Sequence, residues 1–345
     1  MATIRDVAAH AQVSPGTVSQ LLNGRAAVRP ETRSRIEQAI AQLGYRPGRV
    51  GRPRSRPATA NVALVFTEVT GRGYTPSEHP LSRRRIRYIR EALIESGDHF
   101  SLFFLSETEP ERNLVFREAV EGGDIHGVIY APAGRGEDSS HLSCLEGRDV
   151  PMVLLQRFPH ENEFSHVSLD DLGGGGRAAA HLLELGHRRL GHVQVRHAYH
   201  WAEARRQGFV AELERAGAPS PAVRTLDPDA GGAAAQPICQ ALLEQGVTGI
   251  FASNDGVAVL CINALEQLGV RVPQDVSVVG FDNMHYTSAS GLTPTSLGYD
   301  ARHFAQVAVR FVKQLIAERE GLAQLGAFVR THLVIHDTTG PAPAA

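Results

Sequence analysis

Residues 3–24 read Thr3-Ile4-Arg5-Asp6-Val7-Ala8-Ala9-His10-Ala11-Gln12-Val13-Ser14-Pro15-Gly16-Thr17-Val18-Ser19-Gln20-Leu21-Leu22-Asn23-Gly24. The spacing predicts two short helices joined by a tight turn. Thr3 caps the first, with Asp6 placed close to a capping box. Ile4, Val7, Ala8 and Ala11 then fall on one face at helical spacing. Gln12-Val13 makes the turn. Ser14 is a good N-cap for the second helix, and Pro15 takes its first position, where a missing N–H costs nothing. Val18, Leu21 and Leu22 form the buried face, and Asn23-Gly24 stops the helix. A third helix opens at Pro30-Glu31, packs through Ile36, Ala39, Ile40 and Leu43, and ends at Gly44. The pattern is that of a small all-α helix-turn-helix, which lays its second helix in a DNA major groove. An ordinary helical hairpin is the alternative, and the charge distribution opposes it.

The 345-residue chain carries a net charge of only −2. Residues 1–57 contain ten Arg against Asp6, Glu31 and Glu37, a net of +7, which leaves −9 for the remainder. A basic head on an acidic body is expected when only the head meets a polyanion. Arg at phosphates releases counterions, so affinity should fall steeply with salt. The length leaves room for two or three domains. Three scattered cysteines (Cys144, Cys239, Cys261) show neither metal spacing nor a disulfide framework. They are expected to be buried free thiols of a reducing cytoplasm. The N-terminus lacks the apolar run of a signal peptide and no segment has the length of a membrane span, so a cytoplasmic, soluble protein is expected.

From Asn61 the pattern changes. Val62-Ala63-Leu64-Val65-Phe66 is an apolar run suited to a buried parallel strand. A helix over Leu81–Ser96 follows, then a strand over Phe100–Leu105, a helix from about Pro110 to Glu121, and strands at Gly127–Tyr130 and Pro151–Leu155. The rhythm repeats: helix Gly173–Leu185, strand Leu190–Val195, helix Trp201–Ala216, strand Thr248–Ala252, a helix to Leu268, strand Val276–Phe281. Gly97, Gly186, Gly217 and Gly269 close helices. Such alternation argues for an α/β body of two doubly wound parallel-sheet lobes. Polar residues just past strand C-termini, such as Ser253-Asn254-Asp255 and Asp282-Asn283, lie where open α/β sheets bind ligands.

Other features fit no further chemistry. Gly173-Gly174-Gly175-Gly176 lacks the Lys-Ser/Thr of a phosphate loop and the spacing of a dinucleotide fingerprint, and is read as allowing close helix approach. No catalytic nucleophile or acid–base pair stands out, so the chain is not expected to be an enzyme, and neither cofactor nor metal is implied. Arg83, Arg84, Arg85 and Arg87 read as a charge run on a solvated helix face that could meet a partner.

The chain resembles the lactose-repressor (LacI/GalR) family of bacterial transcription regulators. The head carries the resemblance in Thr3-Ile4-Arg5-Asp6-Val7-Ala8, Val13-Ser14, Thr17-Val18-Ser19, Leu22-Asn23-Gly24, Pro30-Glu31-Thr32-Arg33 and Leu43-Gly44-Tyr45-Arg46-Pro47. The body carries it in His181–Arg189, Arg205-Arg206-Gln207-Gly208-Phe209, Phe251–Asp255 and Val272–Asp282. The resemblance implies a DNA-binding head over 1–47, a hinge over 48–59, and an effector-binding and dimerisation body over 60–340 whose lobes resemble periplasmic sugar-binding proteins. One lobe is expected to take about 60–158 and 290–320, the other about 159–288 and 321–340, with a disordered tail at 341–345. It also implies a repressor of double-stranded operator DNA, a small effector of the carbohydrate class, and a homodimer or dimer of dimers.

The DNA contacts implied are Thr3, Ser14, Pro15, Gly16, Thr17, Ser19, Gln20, Asn23, Arg29 and Tyr45 in the head, and Arg49, Arg52 and Arg54 in the hinge. Pro15, Gly16 and Gln20 fall where the family reads bases. Gln20 stands where relatives often carry Arg; Gln pairs with adenine where Arg prefers guanine. A phosphate or water contact is its other reading. The hinge departs further. Arg54 occupies the place of the family's minor-groove leucine, and Gly51 and Pro53 oppose a helix. Gly51-Arg52-Pro53-Arg54 resembles an AT-hook, which suits an extended segment in a narrow minor groove; a flexible basic linker is the alternative. In the effector cleft the resemblance points to Arg205, Asn254 and Asp282, which together can grip sugar hydroxyls. Arg205 could instead pair within its lobe, Asp282 could cap the next segment, and Asp255 is expected to cap the following helix. Gln156 stands where many relatives carry Asp. Trp201, the single Trp, could stack on a pyranose or pack in the core.

Overall fold

The computed structural model describes residues 4–22, 29–43, 59–68, 78–106, 109–132, 140–145, 148, 150–156, 164–195, 200–227, 232–318 and 324–344. Two compact units divide the chain between Ala58 and Thr59.

The first unit holds α1 (Ile4–His10), α2 (Pro15–Leu22) and α3 (Pro30–Leu43). Gln12 turns the chain with a left-handed φ of 50°. Ser14 caps α2 as its side chain demands: Oγ accepts the Thr17 N–H at 3.1 Å. Val7, Ala8, Ala11, Val18, Ile36 and Ala39 are buried together, with Val13, Leu21, Ile40 and Leu43 packed against them. So small a core makes each helix depend on the other two. Thr3, Asn23-Gly24, Gly44 and the side chains of Ile4 and Leu22 lie outside the described residues.

The second unit opens with β1 (Asn61–Glu68), α4 (Pro80–Glu95), β2 (His99–Ser106), α5 (Leu114–Gly122), β3 (Gly127–Ala131), β4 (Met152–Leu155) and β5 (Ser165–Leu169). It continues with α6 (Asp171–Glu184), β6 (Leu190–Val195), α7 (His200–Arg215), β7 (Ala222–Leu226), α8 (Ala235–Glu244) and β8 (Gly249–Ala252). The last elements are α9 (Asp255–Gln267), β9 (Ser277–Phe281), β10 (Thr295–Tyr299), α10 (Ala301–Ala317), β11 (Gly326–Val329) and β12 (Thr331–Val334). They form two six-stranded sheets, ordered β11-β5-β4-β3-β1-β2 and β12-β10-β9-β8-β6-β7. Every pairing is parallel except β10 with β12. Central strands such as β3, β8 and β9 are buried throughout, as expected of parallel sheets covered on both faces. No helix among the described residues is long and apolar enough to cross a membrane.

The lobes divide at other points than the sequence suggests. Ser165–Leu169 and Gly326–Val329 join the first sheet, and Thr295–Tyr299 joins the second. These strands were expected in the opposite lobes. The chain passes between sheets through single residues: Asp170 between β5 and α6, Asp300 between β10 and α10, Arg330 between β11 and β12. Both aspartates serve as N-caps, Asp170 Oδ1 taking the Gly173 N–H at 2.9 Å and Asp300 Oδ1 the His303 N–H at 2.8 Å. Asp170 also ties two passages together, since its N–H donates to Val329 O at 2.9 Å. Arg177 holds them from α6, reaching Asp170 Oδ2 at 2.8 Å and Thr331 Oγ1 at 3.3 Å.

The C-terminus also differs from the expected disordered tail. It is described to Ala344, and the Ala342 N–H donates to Leu185 O at 2.8 Å. His187, fully buried, pins the same segment by contacts to Ser277 Oγ and Gly340 O. Helix ends follow the glycines: Gly217 and Gly269 take left-handed φ values of 65° and 78°. Cys239 and Cys261 are buried free thiols and Cys144 is half-buried.

Candidate functional site

The polar ends of the parallel strands converge on Arg205 of α7. Its position comes from the glycine run. A Cβ on Gly175 would collide with the Arg205 backbone carbonyl, and one on Gly208 with the Leu172 carbonyl. Helices α6 and α7 therefore approach at backbone distance, and Arg205 is drawn down over the Phe281 ring, 3.4 Å from its centroid. Gly174 keeps that ring in place, since a Cβ there would meet it.

Arg205 is 1% exposed and uses its whole guanidinium. Nε donates to Asp171 Oδ1 at 2.8 Å, Nη1 to Ser253 O at 2.6 Å, and Nη2 to Asp282 Oδ1 at 3.3 Å. Trp201 covers it from one side at 4.5 Å while packing against the apolar cluster of the second lobe. Burial pushes the Asp171 carboxyl up to about 6 even with Arg205 beside it.

The caps fall on different residues than expected. Asn254 Oδ1 accepts the Val257 N–H at 2.9 Å and so caps α9, which leaves its amide NH2 outside the cap. Asp255, expected to be that cap, points inward. It accepts from Ser296 Oγ at 2.6 Å and from the Met284 N–H at 2.6 Å. Burial and the nearby Asp282 push its carboxyl up to about 7. Asp282 sits at a left-handed φ of 98°, which turns its carboxylate back to Arg205.

The first lobe supplies the facing wall. The arginine run of α4 is not a uniform solvated face: Arg83 and Arg87 are exposed, Arg84 is half-buried and Arg85 is buried. Arg84 crosses the cleft, donating to Asp282 O at 2.8 Å and Asn283 O at 3.1 Å, and lies over the Tyr299 ring. Arg85 Nη1 reaches Gln156 Oε1 at 3.5 Å, and its guanidinium lies over Phe304. Gln156 is itself turned by a φ of 80° at the end of β4. His79, which precedes α4, has its pKa lowered by burial and by Arg85, against the pull of Asp282.

The structure thus brings Arg205 into direct contact with Asp282 and Trp201, with Asn254 one residue past Ser253. Gln156 stands on the opposite wall with Arg85. Sequence reasoning passed over Asp171, Arg84, Arg85, Ser253 and the inward role of Asp255. One signal was available. Arg85 falls in the helical stripe Ser82, Arg85, Ile89, Ala92 and Leu93, all buried, so a charge sits where the period calls for an apolar residue.

In the head, Ser14, Pro15, Gly16 and Arg29 are exposed and Thr17 is half-buried. Ser19 and Gln20 lie on α2, but their side chains are outside the described residues. So are Thr3, Asn23, Tyr45, Arg49, Arg52 and Arg54.

Residues 3–48 match the family described as bacterial regulatory proteins, lacI family, and residues 179–339 match a periplasmic binding protein-like domain. An HTH-type transcriptional regulator of Streptomyces limosus is 31% identical over 92% of this chain and 88% of its own length. The ribose operon repressor of Halalkalibacterium halodurans is 29% identical over 98% of this chain and 97% of its own. Among solved structures, the transcriptional regulator CelR in complex with cellobiose superposes with a TM-score of 0.69 at 27% identity, covering 98% of this chain and all of that one. A lac repressor dimer bound to operator and the anti-inducer ONPF gives a TM-score of 0.65 at 22% identity over 98% of this chain, a likeness of fold.

Proposed function

The chain belongs to the LacI family of bacterial regulatory proteins, and from that premise we propose that it is a repressor, binding a two-fold operator as a homodimer and changing its grip when a small carbohydrate or carbohydrate derivative enters between the lobes. The observation that carries the proposal is one chain joining a capped helix-turn-helix to a two-sheet body with a buried ion cluster at its strand ends. That is where open α/β sheets take ligands. A ribose operon repressor and a regulator bound to cellobiose among its relatives support the carbohydrate class.

In this proposal residues 1–47 form the head and 48–59 the hinge. Gln20 is the principal base reader, with Pro15 and Gly16 beside it, and Thr3, Ser14, Thr17, Ser19, Asn23, Arg29 and Tyr45 fix the head on the duplex. Arg49, Arg52 and Arg54 lie extended in the minor groove. Arg205, Asp282, Asn254, Gln156 and Trp201 hold the effector. With Arg205 already locked by Asp171, its remaining task is to orient the Asp282 carboxylate for ligand hydroxyls.

Selection of full-length protein on randomised half-sites tests the DNA side. One palindromic sequence should emerge, and Gln20→Ala should relax preference at one base pair by about 1–3 kcal/mol. If Gln20→Ala keeps the same preference, the assignment fails. On the selected operator, anisotropy titrations with and without ribose or cellobiose test the coupling. A ligand that shifts operator affinity must have its own affinity shifted equally by operator. A dyad-centred kink in a bending assay would count against the extended hinge.

A further inference from the structure

Arg85 is 7% exposed, and its Nε and Nη2 are buried without a hydrogen-bond partner. Among the described residues no carboxylate pairs with it; its one polar contact is the neutral Gln156, through Nη1 at 3.5 Å. The two open groups are not scattered around the guanidinium. Nε–H and one N–H of Nη2 point along the same edge in parallel, the pair that clasps a carboxylate or phosphate with two bonds. Burying a cation with that edge unpaired is costly, and an unsatisfied buried group of this kind calls for a partner.

The edge belongs to the cleft. Arg85 acts electrostatically on both His79 and Asp171, the latter a residue of the opposite lobe. A run of contacts joins it to the second wall: Phe304, over which Arg85 lies, packs on Tyr299, and Arg84 lies on Tyr299 while reaching Asp282. Other unmet groups stand along this run. Arg84 Nε, Tyr299 OH and Ser253 Oγ are also buried without partners. Arg84 spends its other nitrogens on backbone carbonyls, so its charge too lacks a carboxylate among the described residues.

We propose that the effector carries an anionic group, a carboxylate or a phosphate, and that the Nε/Nη2 edge of Arg85 takes it in a two-bond clasp while the Asp282 wall takes the hydroxyls. Gln156 completes the site by being neutral: it holds Nη1 without cancelling the charge. The inference rests on the carbohydrate-effector proposal above and narrows it to acidic or phosphorylated sugars.

Calorimetric titration of the full-length protein with matched pairs tests it: glucose, galactose and ribose against glucuronate, galacturonate, gluconate, glucose 6-phosphate and ribose 5-phosphate. At least one anionic member should bind at least 10-fold more tightly than its neutral parent, the uronate and phosphate arms showing which group is taken. Arg85→Gln should reduce that member's affinity about 10- to 100-fold, and Arg85→Lys, which keeps charge but not the fork, should fall between. Gln156→Glu, which sets a competing carboxylate beside Arg85, should lower the anion's affinity relative to its neutral parent; it serves also if Arg85→Gln fails to fold. A neutral parent binding as tightly as its anionic partner, or a preference that survives both Arg85→Gln and Gln156→Glu, overturns the anion clasp alone. Binding by no member of the panel overturns the clasp and the carbohydrate proposal together.

Discussion

Arg205 on the second lobe and Arg85 on the first are both buried, at 1% and 7% exposure, and they stand in opposite states. Arg205 spends every nitrogen on Asp171, Asp282 and Ser253. Arg85 has one long contact to a neutral amide and an open edge. On the second wall the Arg205 guanidinium is fully paired, each partner supplied by the chain. On the first wall, no carboxylate among the described residues pairs with Arg85. Burial of an arginine therefore says little by itself; its partner list separates a group that holds the fold from one that awaits a ligand.

The largest effect expected from breaking this contrast is at Arg205. Arg205→Met strands two buried carboxylates and should lower stability by about 3–5 kcal/mol in urea unfolding. A loss below about 1 kcal/mol would mean the network is not what holds the second wall. Gly175→Ala attacks the same wall through the backbone, pushing α6 from α7. It should cost about 1–3 kcal/mol by the same measurement, and retention of the wild-type midpoint would refute the close approach.

Asp255 offers a pH test. Its carboxyl is raised from 3.8 to about 7, so the folded state holds the proton more tightly than the unfolded chain. Its contribution is full below about pH 4 and is lost as pH rises toward 7. Asn at this position can accept from Met284 and donate to Ser296 without titrating. The melting temperature of Asp255→Asn relative to wild type should therefore climb steadily between pH 4 and 7. A flat difference would place the ionisation elsewhere. The smallest effect belongs to Arg85→Met in ligand-free protein: within about 1 kcal/mol of wild type, since no carboxylate is stranded. A loss as large as that of Arg205→Met would erase the contrast between the walls.

Much of the fold was legible because its signals are local. Ser14, Pro15 and the glycines closing helices act within a few residues of themselves, and β1, β3 and β9 announce themselves as unbroken apolar runs. Strands β5 and β10 did not. Ser165-His166-Val167-Ser168-Leu169 and Thr295-Ser296-Leu297-Gly298-Tyr299 mix small polar residues with apolar ones, and the hydroxyls of Ser165, Thr295 and Ser296 find partners only in the assembled lobe. Ser296 Oγ donates to Asp255, and Ser165 Oγ takes the Leu325 N–H. Missing those strands displaced the lobe boundaries. Near the cleft, motif resemblance pointed to Arg205 and Asp282, while Asp171 was passed over and Arg85 was read as part of a solvated charge run.

By itself the sequence determined the helix-turn-helix, the two-lobed parallel α/β architecture, the concentration of positive charge in the first 57 residues and the polar clusters at strand ends. Each follows from period, capping or composition, which short segments carry alone. Only the tertiary structure decided which charges meet. Asp171 and Arg205 are 34 residues apart and Arg205 and Asp282 are 77 apart; their pairing depends on how closely α6 and α7 pack. Whether Arg85 finds a carboxylate depends on what the opposite lobe brings to it. Electrostatic partnership is a property of distance in space, and a linear pattern holds that information only where the fold has already brought the segments together.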